Sequence, residues 1–174
     1  MATFILLGRL TGFAREWLLS SIGGANEQTD IAVVLFTLPD LIVSLFLGGG
    51  LASTLIPHLN SINENQKKGT VLQVSVLVFA IFSIIALIIS LRQEIIWSLL
   101  IPGVNENIKL NANFNFALIS LSLPITALAG VLSAYFNSIS KFRLGASGTI
   151  FFNGGIILGL LINIPILWRI TIGV

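Results

Sequence analysis

The chain has 174 residues, of which 55% are hydrophobic and only 9% are charged, and its formal net charge is +2. An average soluble domain is about 25% charged, so a soluble protein of this composition would leave too much apolar surface in water, whereas lipid solvates such surface directly. The charge also gives no indication of a nucleic-acid partner, because the largest basic cluster is the pair Lys67–Lys68.

Long apolar runs divide the chain into five predicted membrane spans within one helical domain, residues 1–174. A helix that crosses a bilayer needs about 20 apolar residues, whereas a crossing β-strand needs only about ten, with an alternation that this sequence lacks. The predicted spans are 2–20, 30–57 (broken at 48–50), 71–91, 114–139 (containing Pro124) and 148–168. The sequence therefore predicts an all-α integral membrane protein.

The first predicted span contains three charged residues, Arg9, Arg15 and Glu16, and each costs about 2.5–3.5 kcal/mol at the centre of a bilayer. On a helical wheel, Arg15 shares one stripe with Gly8 and Gly12, which suits a packed interface or a polar cavity. The alternative is an interfacial helix whose arginines reach the head groups. The opposite stripe is bulky, apolar and suited to lipid: Leu6, Leu10, Phe13 and Trp17.

The second predicted span begins at Asp30, either as a capping or first-turn carboxylate or as an acid that faces a cavity opposite an arginine of the first span. Pro39 removes a backbone hydrogen bond in mid-span, and the adjacent Asp40 is expected to face protein or water. Gly48, Gly49 and Gly50 follow. Together with Pro39 they form a candidate hinge, although the three glycines also fit a helix end near the interface.

The last two predicted spans carry polar amides and small residues. Asn137 and Asn153 are expected to form hydrogen bonds across helices, and Pro124 is expected to kink its span. Gly155 and Gly159 form a small-xxx-small pair that permits close helix packing.

Loop charges predict the orientation in the membrane. Lys67 and Lys68 lie in the 61–70 loop, and Lys141 and Arg143 in the 140–146 loop, whereas the 23–29 loop has no Lys or Arg. Because positive loops stay in the cytoplasm, we expect the N-terminus to be cytoplasmic.

The chain lacks the residue sets that enzymes use. It has no cysteine and one histidine, His58, and no Walker, HExxH or GxSxG motif occurs. We expect neither an enzyme nor a cofactor or metal site.

Several segments together resemble one family of transporters. They are residues 8–16 (GRLTGFARE), 29–30, 38–41 (LPDL), 49–57, 129–142 and Asn153. They are similar to the MurJ (MviN) family, the lipid II flippases of the multidrug/oligosaccharidyl-lipid/polysaccharide exporter superfamily.

The resemblance implies two helical lobes around a central cationic cavity in the bacterial inner membrane. Members move undecaprenyl-linked peptidoglycan precursor to the outer leaflet by alternating access, for cell-wall synthesis. Arg15 matches the family's cavity arginine and Asp30 its acid at the start of the second helix, so Arg9, Arg15 and Asp30 are the candidate substrate-binding residues. An arginine suits a diphosphate because its fork donates paired, charge-assisted hydrogen bonds.

The sequence also departs from the family. Val43 and Ser44 stand where the family has basic residues, and Gly48 stands where it has an acid. The chain also ends after about five predicted helices, part of one lobe. We therefore expect a truncated or split member, completed by a second polypeptide or by self-association.

Two alternatives remain compatible with the sequence. One is an exporter of another polyprenyl-linked glycan. The other is a small membrane protein that acts by helix association, as an accessory subunit or pore former. Arg15 and the early motif favour the flippase.

Overall fold

The computed structural model describes residues 2–44 and 50–174, and in that part the chain is helical, without β-strands. The helices are α1 (Ala2–Gly23), α2 (Glu27–Val43), α3 (Ala52–Ser61), α4 (Glu64–Leu91), α5 (Gln93–Leu100), α6 (Glu106–Ser120), α7 (Ser122–Ser138), α8 (Phe142–Leu160) and α9 (Ile166–Gly173).

The turn between α1 and α2 is short and capped. Gly24 has a φ of 68°, which glycine adopts without a Cβ clash. The backbone N–H of Thr29 donates a 3.0 Å hydrogen bond to the side chain of Asn26, which caps α2. Asp30 lies in the first turn of α2, where a negative charge favours the helix dipole. The helix thus starts at Glu27 rather than at Asp30.

Pro39 lies inside α2 and is buried. The helix continues past it to Val43, and the described chain resumes in a π-helical turn at Gly50 and Leu51 that leads into α3. Gly48 and Gly49 lie outside the described residues, so the candidate hinge is described only at Pro39 and Gly50.

Most of the polar segment predicted as the 61–70 loop is helical. Asn63 and Gln66 form a capping box at the start of α4, which satisfies two backbone N–H groups that a helix start leaves unpaired. Lys67 pairs with Glu64 at 2.8 Å. These local contacts start α4 at Glu64, well before the apolar run that begins at Val71.

The fourth predicted span is longer than expected and is interrupted. α6 begins at Glu106 and ends at Ser120, and α7 begins at Ser122. A proline ring clashes with the carbonyl four residues earlier, and Ser120 stands four residues before Pro124. The interruption therefore follows from Pro124, whose missing N–H falls in the first turn of α7, where a helix has no internal partner for it.

The fifth predicted span is not one helix to Trp168. α8 ends at Leu160, and α9 begins after Pro165 and packs back against α8. The residue before a proline is biased away from helical geometry, which explains the break at Ile164. Arg169 secures the turn: its Nε donates to the Ile164 carbonyl at 2.5 Å and its Nη1 to the Leu160 carbonyl at 3.2 Å.

Helices α1 and α8 pack along each other, as do α4 and α7, while α2 contacts α6, α7 and α9. The core contains large apolar side chains that are almost fully buried, among them Leu19, Ile31, Leu35, Phe36 and Leu123. The outer surface is also apolar. In particular, the lipid-facing stripe predicted for α1 is exposed: Leu6, Leu10, Phe13 and Trp17.

Two stretches of the described chain are long and apolar enough to cross a membrane, Glu64–Leu91 and Glu106–Ser138. So much exposed apolar surface requires lipid around it. The protein is an all-helical membrane protein, as predicted, and the count of five spans stays a prediction.

Candidate functional site

A cavity of about 630 Å³ lies among α1, α2, α7 and α8. Its wall is mostly apolar, with residues such as Val43, Ile125, Leu132, Phe136 and Phe152. Hydroxyl groups interrupt the apolar wall at Thr126, Ser133, Ser147 and Thr149. Among the described residues that line it, Arg15 and Asp40 are the charged ones.

Arg15 is held on three sides at the cavity wall. Its Nη1 donates a 3.0 Å hydrogen bond to Oδ1 of Asn153, and its Nη2 donates a 2.6 Å hydrogen bond to Oε1 of Glu16. The guanidinium carbon lies 4.1 Å from the centre of the Phe36 ring, a cation–π contact. The side chain is 15% exposed, so this partly buried cation is compensated by a carboxylate from its own helix.

The Arg15 guanidinium keeps donor capacity. An arginine has five N–H groups, and the hydrogen bonds to Asn153 and Glu16 use two of them. The buried Nε–H has no hydrogen-bond partner among the described residues. A buried unpaired donor is unfavourable, so an acceptor that reaches this group gains a ready partner.

Asn153 joins α8 to α1. It is 4% exposed, and its Nδ2 donates to the Gly8 carbonyl at 3.3 Å and to Oγ1 of Thr11 at 3.5 Å. The predicted bond of Asn153 across helices is therefore confirmed. The side chain of Asn137, by contrast, makes no hydrogen bond to another helix in the described part of the chain.

Gly8 and Gly12 lie on the face of α1 that meets α8. A Cβ built on Gly8 would lie 3.5 Å from the Thr149 side chain, and one on Gly12 would lie 3.4 Å from Nδ2 of Asn153. Small residues at these positions let the two helices approach closely, which brings Asn153 within reach of Arg15.

Asp40 projects from α2 at the cavity and is exposed. It forms no ion pair with Arg15 or with any other described residue. As predicted, this mid-helix acid does not lie against lipid, because it lines a cavity.

Arg9 and Asp30 are exposed and are not among the described residues that line this cavity. Neither forms an ion pair in the described part of the chain. Of the three candidate substrate-binding residues, the structure brings only Arg15 to the cavity. Of the two alternatives for Asp30, the structure shows the first-turn carboxylate of α2, and Asp30 is not among the described residues that line the cavity opposite Arg15.

The Gly155–Gly159 face packs within the chain. A Cβ on Gly155 would lie 2.5 Å from the Gly173 carbonyl oxygen, and one on Gly159 would lie 3.0 Å from Cα of Gly173. The glycine pair therefore receives α9 and is not free for a second copy.

Sequence reasoning missed some residues of the site. Phe36, under Arg15, lies in an apolar run that carries no distinguishing signal. The sequence marks Asp40 as an acid in an apolar run, but gives no signal that it is a binding residue. In the described part of the chain, no group of three His, Asp or Glu residues is arranged to hold a metal ion.

Comparisons with known proteins agree on one family. The family described as "Lipid II flippase MurJ" matches residues 19–173. The chain is 30% identical over 160 residues to "Probable lipid II flippase MurJ" of Buchnera aphidicola, covering 87% of this chain and 31% of the relative. It is 27% identical over 161 residues to the protein of the same name in Aquifex aeolicus, covering 91% and 32%.

A third relative, "Lipid II flippase MurJ" of Burkholderia cenocepacia, is 36% identical over 63 residues, covering 36% of this chain and 12% of the relative. No solved structure gave a significant match. The matches to the Buchnera and Aquifex proteins span about a third of the length of those relatives.

Proposed function

Because the chain belongs to the lipid II flippase MurJ family, we propose that it forms the first helices of a lipid II flippase. Such a transporter carries undecaprenyl-linked peptidoglycan precursor across the bacterial inner membrane for cell-wall synthesis. The observation that carries the proposal is Arg15, a cation at the wall of a 630 Å³ cavity among apolar helices.

Arg15 suits the phosphate groups of such a substrate. Its guanidinium has N–H groups left to donate, including the buried Nε–H, and a phosphate oxygen accepts charge-assisted hydrogen bonds from them. Asn153 and Phe36 hold the group in place before a ligand arrives. A pre-positioned cation loses less conformational entropy on binding.

Arg9 and Asp30 complete the proposed set of substrate-handling residues. Both are exposed and unpaired in the described part of the chain, so both are available to a ligand outside the cavity. Arg9 would contact anionic groups, and Asp30 would act at the turn between α1 and α2.

We further propose that the other wall of the transport path is formed by helices that residues 1–174 do not supply. Alternating access needs two bundles that move against each other around a central site, and the cavity described here is bordered by helices of one bundle. A second polypeptide is favoured over self-association through Gly155 and Gly159, because α9 covers that face.

The test is rescue of bacteria depleted of their own flippase. We expect growth and normal cell shape when this chain is expressed together with a separate polypeptide that supplies the remaining helices of a relative, and no rescue by this chain alone. Rescue by the chain alone would contradict the need for a second wall. If both polypeptides insert into the membrane but together do not restore growth, the proposed function is contradicted.

A pair of variants tests the role of Arg15 in the same assay. Arg15→Ala is expected to abolish rescue, because it removes the cavity's cation. Arg92→Ala removes an exposed arginine at the end of α4 and should rescue as the parent does. Equal rescue by both variants would reject Arg15 as the phosphate contact.

A further inference from the structure

Helix α5 is too short to cross a membrane, yet it follows directly on a helix that is long enough. It has 8 residues, Gln93–Leu100, and such a helix is about 12 Å long. Arg92 is both the C-cap of α4 and the N-cap of α5. Its backbone, with a φ of −115° and a ψ of 35°, lies outside helical geometry, so α4 ends there and α5 is a separate element.

The apolar length of α4 places this junction at a surface of the bilayer. Residues 71–91 carry no charge, and a helix of that length spans about 31 Å, close to the roughly 30 Å of a hydrocarbon core. A charged residue is costly inside that core. Arg92 therefore lies at the membrane surface opposite Lys67 and Lys68, which are at the other end of α4.

The next helix gives the same depth for α5. Nε1 of Trp97 donates a 2.8 Å hydrogen bond to Oδ1 of Asn113 on α6, and the rings of Trp97 and Phe116 have their centroids 4.6 Å apart. Asn113 stands where the polar first turns of α6 give way to the apolar span predicted from residue 114. Two helices thus place α5 at the same membrane surface.

Helix α5 has three distinct faces. Trp97 is 2% exposed and faces the protein. Ile95 and Leu99, which are one turn apart on the opposite side of the helix, are 52% and 72% exposed. Glu94 and Ser98 are also exposed and lie beside that apolar stripe. One apolar and one polar exposed face are typical of a helix that lies in the plane of the membrane surface.

The apolar stripe of α5 continues the lipid-facing surface of α4. At the end of α4 next to α5, Ile84, Leu87, Ile88 and Leu91 are exposed, and so much exposed apolar surface requires lipid around it. The stripe on α5 begins just beyond Leu91 and lies at the edge of the same lipid layer. Its occupant is therefore lipid.

From this depth, these faces and this continuity we propose that α5 is an interfacial helix, whose partner is the lipid surface. Ile95 and Leu99 insert between the lipid head groups, while Glu94 and Ser98 face water. Because Trp97 attaches α5 to α6, the helix fixes the depth of α4 and α6 in the membrane. This interaction goes beyond lipid II transport and does not depend on it, since it uses neither Arg15 nor the cavity.

Single cysteine variants test this placement, because the chain has no cysteine of its own. Leu99→Cys and Ser98→Cys place a bimane fluorophore on neighbouring residues of different faces, and Ile81→Cys places it in the middle of α4 as a depth reference. The full chain is reconstituted in phosphatidylcholine nanodiscs. Three quenchers are compared: iodide in the water, a lipid nitroxide near the head group, and a lipid nitroxide near the end of the acyl chain.

The three positions should differ in which quencher is strongest. At position 99 we expect the nitroxide near the head group to quench most, because an interfacial helix buries its apolar face only about 5–10 Å deep. Iodide should quench most at position 98, with that quenching largely lost at position 99. At position 81 the nitroxide near the end of the acyl chain should quench most.

Each other result at position 99 would overturn the proposal. Dominant quenching by iodide would place the stripe in water, and dominant quenching by the deeper nitroxide would place it within the hydrocarbon core. Weak quenching by all three would mean that protein covers the stripe, either a second copy of the chain or another polypeptide. Ile95→Cys, one turn earlier on the same face, should repeat the result and replaces Leu99→Cys if that variant does not fold.

Discussion

At the scale of single residues, one amide organises the candidate site. Asn153 accepts a hydrogen bond from Arg15 and donates to the backbone of α1 at Gly8. It thereby accepts a hydrogen bond from one N–H group of the partly buried guanidinium, and it attaches α8 to α1 at the same point. Removing one partner of a buried hydrogen bond destabilises the protein by more than the bond's net contribution to stability, because the remaining polar group stays buried without a partner.

Asn153→Ala is therefore expected to lower the free energy of unfolding by about 1.5–3 kcal/mol. The loss has a specific cause, since Nη1 of Arg15 would have no acceptor. Denaturation in detergent micelles, followed by far-ultraviolet circular dichroism, measures it.

Asn137→Ala is the matched control. This amide is partly exposed and makes no bond to another helix in the described part of the chain, so its removal should change the free energy of unfolding by no more than about 0.5 kcal/mol. Equal losses in the two variants would show that the bond to Arg15 is not what Asn153 contributes.

At the scale of helices, α8 and α9 form the tightest contact. The hairpin closes where Gly159 meets the backbone of α9 at Arg169 and Gly173. This close approach leaves no room for a side chain at Gly159. Small residues between membrane helices allow their backbones to come this close. Arg169 then ties the turn through the carbonyls of Leu160 and Ile164.

Gly159→Ala is expected to destabilise the protein by about 1–3 kcal/mol, because the added methyl group overpacks against backbone atoms that cannot move away cheaply. Gly154→Ala, five residues earlier on α8, adds a methyl group that meets nothing within 4 Å. It should be neutral or stabilise the helix by up to about 1 kcal/mol, from the better helix propensity of alanine. The same denaturation assay compares the two, and a Gly159→Ala variant as stable as Gly154→Ala would rule out the close contact with α9.

At the scale of the whole molecule, the distribution of side chains is that of a protein in lipid. Large apolar side chains are exposed on α1, α4 and α7, while charged residues concentrate in turns and at helix ends. The exceptions lie within α1 and α2 and are Arg9, Arg15, Glu16 and Asp40. Of these, Arg15 and Asp40 line the cavity, where water or a ligand can solvate their charge.

The orientation of the molecule is testable with reporter fusions. A reporter that is active only outside the cytoplasm should be inactive when fused after Lys68 or after Arg143, because these segments carry the basic residues that stay inside. Fused near Asn26, it should be active. An inactive reporter at Asn26 would contradict the proposed orientation. Membrane fractionation shows whether that fusion protein has inserted, so that a failure of insertion is not mistaken for a cytoplasmic location.

The sequence by itself determined the features that depend on neighbouring residues and on solvent. The apolar runs predicted membrane helices, the glycine and arginine stripe of α1 indicated a packed interface or a polar cavity, and the acid beside Pro39 was expected to face protein or water. Only the tertiary structure decided what depends on distant contacts. The bond between Arg15 and Asn153 joins residues 138 positions apart, the return of α9 along α8 was hidden within one apolar run, and Arg15 and Asp40 reach one cavity through the packing of four helices. Local patterns report which surface a helix buries, but they do not report which other helix covers it, because that choice is made by the packing of the whole chain.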